Sequence, residues 1–182
     1  MHDVAVVGAG PVGNRVGARL AGMGYKVVVL DQKTSLAGPV CCTGIISAEC
    51  VGHFGVERNV IIRDANSARV FSPYGKTLTL KRQQPQACIV DRSAFNLFFA
   101  RQAQAQGVEC VLGSEVTAVK VQKDRVSIES RHGGNQVEAK VLVVAAGSAS
   151  KLVEGLGFGR VGDFAMGVQA SVETSGVDEV EV

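Results

Sequence analysis

Short apolar runs at residues 4–7 and 26–30 open the chain. Runs of this kind, without polar alternation, are typical of strands buried on both faces of a parallel sheet. Between them, the spacing of apolar residues predicts a helix over residues 11–23, with Val12, Val16, Leu20 and Met23 as its buried stripe. This strand–helix–strand unit predicts an α/β fold of the Rossmann type, built on a central parallel sheet.

The pattern changes farther along the chain. Residues 116–122 and 125–130 alternate apolar and polar positions and precede another apolar run at 140–145, which predicts an antiparallel β-meander inserted in the parallel domain. A helix is predicted over residues 93–106. We place a nucleotide-binding domain at residues 1–160, with residues 60–90 contributing to a substrate-side sheet. Residues 161–182 then begin a truncated, β-rich substrate or cap domain, with a strand predicted at 164–172.

Composition narrows the class of protein. The 182 residues are 46% hydrophobic and carry a net charge of +2, which is ordinary for a globular domain and gives no basic stripe for nucleic acid. No apolar run is long enough to cross a membrane. Five cysteines without a recognisable signal peptide favour reduced thiols and a cytoplasmic location. With no Cys-x-x-Cys spacing and three scattered histidines, we expect no metal site.

A glycine-rich loop joins the first predicted strand to the first helix. In the spacing Gly8-x-Gly10-x-x-Gly13, the first glycine allows a tight turn, the second lets backbone N–H groups reach a pyrophosphate, and the third lets the helix lie close to the sheet. An acid at the end of the second strand accepts hydrogen bonds from ribose hydroxyls and repels a 2′-phosphate. These features predict a dinucleotide site and leave FAD and NAD both open. Its candidate residues are Gly8, Gly10, Pro11, Val12, Gly13, Asp31 and Gln32.

The order of further segments resembles the class of FAD oxidoreductases that includes aromatic hydroxylases and geranylgeranyl reductases. Asp91-Arg92-Ser93-Ala94-Phe95 is similar to the segment where that class places an arginine near the cofactor's pyrophosphate and ribose. The strand beginning at Val116 resembles the one whose backbone meets the adenine. The segment Ala145-Ala146-Gly147-Ser148 resembles an Ala-Asp-Gly motif in which Ala146 replaces the usual acid. The resemblance implies FAD as the cofactor, with Arg92, Val116, Ala146 and Gly147 near it.

Pro39-Val40-Cys41-Cys42-Thr43-Gly44 is similar to a segment that geranylgeranyl reductases place beside the flavin ring. The resemblance implies that Cys42 tunes the flavin or donates a proton, with Thr43 and Gly44 offering backbone contacts. The alternative is that both cysteines are small buried fillers. Neighbouring residues of an extended segment face opposite ways, so we expect Cys42 at the ring and Cys41 pointing into the protein or the domain seam.

The resemblance implies an FAD-dependent oxidoreductase that reduces carbon–carbon double bonds of an isoprenoid-type substrate by hydride transfer from reduced flavin. A flavin-dependent aromatic monooxygenase and a truncated, non-catalytic FAD-binding fragment are the alternatives. The expected partners are a lipid-like small molecule and an external electron donor, either NAD(P)H or a reduced carrier, with a peripheral membrane contact compatible with such a substrate. Because the alternating pattern runs to residue 182 without a stop signal, we expect the chain to be a fragment of a longer protein.

Overall fold

The computed structural model describes residues 1–38, 40–131, 136–148, 150–170, 173, 175, 180 and 181. The chain divides into two compact units. The first comprises Met1–Gly38 and Asn96–Ala165, and the second comprises Pro39–Phe95 and Met166–Val182. Our predicted boundary at residue 160, and the assignment of residues 60–90 to the substrate side, stay predictions.

The described helices and strands are interspersed along the chain. In chain order they are β1 (His2–Val7), α1 (Pro11–Ala21), β2 (Val27–Leu30), β3 (Ile45–Ser47), α2 (Ala48–Phe54), a 3₁₀ turn (Arg58–Val60), β4 (Ile61–Ala65), β5 (Ser67–Phe71), β6 (Thr77–Lys81), β7 (Ala87–Val90), α3 (Arg92–Ala105), β8 (Glu109–Val111), β9 (Val116–Val121), β10 (Val126–Ser130), β11 (Val137–Val144), α4 (Leu152–Gly155) and β12 (Val180–Glu181).

A six-stranded sheet forms the centre of the first unit, in the order β8-β2-β1-β11-β10-β9. Its first four strands are mutually parallel, with Val6 of β1 opposite Val29 of β2 and Val143 of β11. Strands β9, β10 and β11 run antiparallel to one another in succession. The predicted parallel sheet with an antiparallel meander is therefore confirmed. The sequence Gly133-Gly134-Asn135 is typical of a hairpin turn, but it lies outside the described residues.

Helix α1 packs on this sheet mainly through small residues, and the predicted apolar stripe is right only in part, since Leu20 packs against the core and Val16 is half-buried. Val12 and Met23 are 68% and 63% exposed, whereas Gly13, Asn14, Gly17 and Ala18 are buried. A Cβ added at Gly17 would lie 3.1 Å from a methyl carbon of Val29 in β2. The close approach of helix and strand therefore selects small side chains at the contact, whereas Val12 faces outward and Met23 lies beyond the end of α1.

Two apolar clusters fill the first unit, because alternate residues of a strand point to opposite faces of the sheet. Val6 and Val29 pack with residues of α1 and α3, including Ala18 and Ala103. Ala5, Val28 and Leu30 pack with Ile128 and Ala139 in the other cluster. The near-continuous valine content of β1 and β2 follows from burial on both faces.

The second unit is built around two three-stranded sheets. One has the order β3-β7-β4 and is antiparallel, and in the other β5 pairs with β6 antiparallel and with β12 parallel. The strand predicted at residues 164–172 is wrong where it can be judged, since residues 164–170 have no regular structure and are exposed. Alternation alone does not make a strand without a neighbouring strand to pair with. Residues 171 and 172 lie outside the described residues.

Candidate cofactor site

The carboxyl ends of β1, β2, β8 and β11 meet at one edge of the central sheet, because these four strands are parallel and adjacent. This is the edge at which open α/β sheets bind their ligands. The glycine-rich loop leaves it from β1 and leads into α1, whose N-terminus contributes partial positive charge. Pro11 occupies the first turn of α1, where its missing N–H costs no helical bond.

The three glycines of the loop have separate roles. Gly8 has φ +108°, and a Cβ there would overlap the carbonyl group of Ala145. A Cβ at Gly13 would overlap the Gly8 carbonyl oxygen, so the helix can approach the strand this closely only without a side chain. By contrast, no atom of the described chain lies within 4 Å of a Cβ added at Gly10. The requirement for glycine at Gly10 therefore does not come from the chain itself, and the open space fits a bound pyrophosphate.

Asp31 follows β2 directly and holds the loop from the side. Its Oδ2 accepts a hydrogen bond from the Ala9 N–H at 2.7 Å, and its Oδ1 accepts one from the Lys33 N–H at 2.8 Å. A carboxylate oxygen can accept more than one bond, so capacity remains for ribose hydroxyls. The acid thus joins the loop after β1 to the end of β2, a role that the sequence analysis missed.

Asn14 in the first turns of α1 holds the other side of the same loop residue. Its Nδ2 donates to the Ala9 carbonyl oxygen at 2.6 Å. The side chain is 1% exposed, and its Oδ1 has no hydrogen-bond partner among the described residues. Ala9 is therefore fixed at both its N–H and its C=O.

A pocket of about 600 Å³ opens beside the loop, within the usual range for small-molecule sites. It is bounded by the ends of β1 and β2, by the first residues of β9, and by the segment that follows β11. Of the residues proposed from sequence, Gly8, Asp31, Gln32, Val116 and Ala146 line it. Gly10, Pro11, Val12, Gly13 and Gly147 do not line it.

Sequence reasoning missed several residues of this pocket. Ser114, Glu115 and Leu156 line it, as does Lys151, which follows the segment resembling the Ala-Asp-Gly motif. The signal for Ser114 was available, because a residue just after a parallel strand lies at the same sheet edge as Asp31. The Asp31 carbonyl oxygen indeed accepts a hydrogen bond from the Ser114 N–H at 2.8 Å.

The remaining proposed residues belong to the second unit. Gly44 has φ +74°, and a Cβ there would lie 2.5 Å from the Val90 carbonyl oxygen and 3.6 Å from Cγ of Arg92. The structure therefore brings Gly44 beside Arg92, at the start of α3. The Arg92 guanidinium lies 5.3 Å from the ring centroid of Phe95. Cys41 and Cys42 are both exposed free thiols. The expectation that Cys41 points into the protein is therefore wrong, and neither cysteine is a buried filler.

Cys88 differs from those thiols in its surroundings. It is buried in β7, and its Sγ lies 3.4 Å from Oδ1 of Asp64, which also pairs with Arg58 at 2.8 Å. Burial, and then the Asp64 carboxylate, raise the pKa of the Cys88 thiol, whereas the Arg58 guanidinium lowers the pKa of Asp64. Cys88 is therefore held as a neutral thiol and is a poor nucleophile.

Fold and loop together define a dinucleotide-binding domain. The chain belongs to the pyridine nucleotide-disulphide oxidoreductase family, whose model matches residues 2–174. This membership confirms the predictions of an FAD-dependent oxidoreductase domain and of FAD as its cofactor. Among the described residues, no helix has the length and hydropathy needed to cross a bilayer.

Individual proteins support the predicted relationship. The chain is 30% identical to a digeranylgeranylglycerophospholipid reductase of Methanocella arvoryzae, over 83% of this chain and 40% of that protein. It resembles the structure of a geranylgeranyl bacteriochlorophyll reductase-like protein of Thermoplasma acidophilum, with a TM-score of 0.77 and 22% identity. The match covers 86% of this chain and 42% of that protein. For p-nitrophenol 4-monooxygenase of Pseudomonas putida the TM-score is 0.73, with 18% identity. That match covers 86% of this chain and 44% of the monooxygenase. The chain thus spans less than half the length of each of these proteins.

Proposed function

We propose that the chain is the cofactor-binding part of an FAD-dependent reductase that saturates carbon–carbon double bonds of an isoprenoid-type lipid. The observation that carries the proposal is the glycine loop with open space at Gly10, in a chain similar to digeranylgeranylglycerophospholipid reductases over more than four fifths of its length. FAD, once bound and reduced, supplies the hydride. The electron donor that reduces FAD, either NAD(P)H or a reduced carrier, stays a prediction. A cytoplasmic location also stays a prediction.

The residues of the first unit would bind and orient the adenine nucleotide half of the cofactor. The backbone N–H groups at the start of α1 would face the pyrophosphate, and Asp31 would accept from the ribose. The pocket beside β9 would hold the adenine, with Val116 in its wall. These residues fix the position of the cofactor and leave the chemistry to the flavin ring.

In the second unit, we propose that Arg92, Thr43 and Gly44 face the cofactor and that Cys42 lies at the flavin ring. The support is the similarity of this segment to geranylgeranyl reductases and the proximity of Gly44 to Arg92. Cys41 is a matched control, because it is an exposed thiol next in sequence to Cys42. FAD should slow alkylation of Cys42 by iodoacetamide several-fold more than that of Cys41. If FAD protects both thiols equally, or protects neither, the proposed position of Cys42 at the flavin ring is wrong.

The reaction can be tested with the protein as its genome encodes it. The purified protein is loaded with FAD, reduced with dithionite without oxygen, and mixed with an unsaturated digeranylgeranyl glycerophospholipid. Mass spectrometry should show a gain of two hydrogens for each double bond reduced, and the Gly10→Val variant should show none. Hydroxylation of a phenol in air with NAD(P)H as the two-electron donor, without alkene reduction, would instead support the flavin monooxygenase. FAD binding without either reaction would identify a non-catalytic FAD module.

A further inference from the structure

We infer that Asn14 is a positioning residue for the pyrophosphate of the cofactor, acting through the peptide that joins Ala9 to Gly10. Neither the glycine spacing nor the acid after β2 assigns it a role. The inference rests on the proposed placement of the FAD phosphates at this loop. In it, the Asn14 side chain determines the direction in which the Gly10 N–H points.

The geometry of one peptide group carries the argument. Asn14 Nδ2 donates to the Ala9 carbonyl oxygen at 2.6 Å, and the Asn14 backbone N–H donates to the Gly10 carbonyl oxygen at 3.0 Å. The carbonyl and N–H of a planar trans peptide point in opposite directions. Because Asn14 fixes the Ala9 C=O, it also fixes the Gly10 N–H, on the residue where the chain leaves open space.

Asn14 is buried, and its amide contributes to the loop as a hydrogen-bond donor. The side chain is 1% exposed, and Oδ1 has no partner among the described residues. Rotating the amide by half a turn would place Oδ1 against the Ala9 oxygen, so the donor orientation is the favourable one. A buried acceptor without a partner is unfavourable and calls for an explanation. An aliphatic side chain would avoid it but would leave the Ala9 carbonyl free to turn.

Loss of this hydrogen bond would have a specific effect on anions. Gly10 has no side chain to restrict rotation, so the Ala9–Gly10 peptide can flip once its carbonyl is released. The flip would present the Ala9 carbonyl oxygen to the phosphates in place of the Gly10 N–H. An N–H that binds a phosphate makes a charge-assisted hydrogen bond, and a carbonyl oxygen there is repulsive. Adenosine, which lacks phosphates, would not sense the change.

The test compares two probes, ADP and adenosine, titrated into the ¹⁵N-labelled chain and followed by amide chemical shifts. We expect Asn14→Leu, which has nearly the same shape, to weaken ADP binding about tenfold, as for one charge-assisted hydrogen bond. The affinity of the Asn14→Leu variant for adenosine, and its free energy of unfolding measured in urea, should not fall. Asn14→Ala should show the same loss for ADP. Ser127→Ala is the matched control, because Ser127 is also buried and polar but does not line the pocket.

Each result decides the question. A selective loss for ADP, together with a displaced Gly10 amide signal in the unliganded Asn14→Leu variant, supports the inference. Equal losses for ADP and adenosine, or an unchanged ADP affinity, would overturn it and leave the FAD site intact. If ADP shifts none of the amides of residues 8–14 in the unaltered chain, the proposed placement of the phosphates itself is wrong, and the inference is wrong with it.

Discussion

Alanine substitutions at the glycines of the first unit should separate the folding role of each from its binding role. At Gly13 the added Cβ would lie closer than 3.0 Å to the backbone oxygen of Gly8, which cannot rotate away as a side chain can. At Gly17 it would lie 3.1 Å from a Val29 methyl carbon, a contact that a small shift relieves. At Gly10 it meets no atom of the described chain within 4 Å. Only the first case forces helix and strand apart.

The magnitudes follow from these contacts. Forcing extra atoms into a packed site costs about 1–3 kcal/mol, and a backbone obstacle places Gly13→Ala near the upper limit. For a chain of 182 residues, a loss of about 3 kcal/mol lowers Tm by about 6–12 °C. At Gly17 the gain in helix propensity of about 1 kcal/mol offsets the crowding. At Gly10, which has φ −68° and ψ 178°, alanine adopts the backbone without strain, and the change should stay within about 1 kcal/mol.

The glycine substitutions should rank differently by their effect on FAD affinity than by their effect on stability. Gly10→Val places a side chain in the space assigned to the pyrophosphate, and we expect FAD affinity to fall at least about 100-fold, or about 2.7 kcal/mol. Stability is measured by urea unfolding of the chain without cofactor, and affinity by quenching of FAD fluorescence. If Gly10→Ala unfolds as readily as Gly13→Ala, or Gly10→Val binds FAD normally, the roles assigned to these glycines are wrong.

Three further predictions concern the cofactor and the thiols. FAD should bind saturably and NAD weakly or not at all, and the reverse preference in fluorescence titrations would exclude a flavin site. Asp31→Asn should weaken FAD binding by about 1–3 kcal/mol, because the Ala9 and Lys33 N–H groups both lose a charged acceptor, one of them faces the amide NH2 instead, and the ribose contact weakens. Unchanged affinity would limit Asp31 to supporting the loop. Cys88 should react with iodoacetamide far more slowly than Cys41 and Cys42 at pH 8, because burial raises the pKa of its thiol. Peptide mass spectrometry measures the three rates. Comparable rates would contradict the buried contact between Cys88 and Asp64.

The sequence was informative where one local pattern determines the structure. Gly8, Gly10 and Gly13, between two apolar runs and followed by Asp31, predicted the first strand–helix–strand unit. Hydrophobicity correctly placed Leu20 on the buried side of α1, but it also chose Val12 and Met23, which are exposed. The short distance between helix and strand selected Gly13 and Gly17 instead.

The pocket was harder to predict because its walls come from distant segments. Lys151 and Leu156 reach it only because β11 lies next to β1, a pairing that no local pattern contains. Asn14 was missed for a related reason, since a polar residue near the start of a helix is usually exposed. Here its burial beneath the loop depends on the close approach that Gly13 permits.

The fixed conformation of Ala9 has a consequence for the rate at which a nucleotide binds. Asp31 and Asn14 hold Ala9 through contacts within the chain itself, so we expect the loop to need little ordering when a nucleotide arrives. Association should then be limited by encounter and orientation, with a rate constant nearly independent of substitutions that alter contacts after binding. Differences in affinity among such variants should appear in the dissociation rate, and a slow release of the nucleotide is the property that lets a domain keep its cofactor through many catalytic cycles.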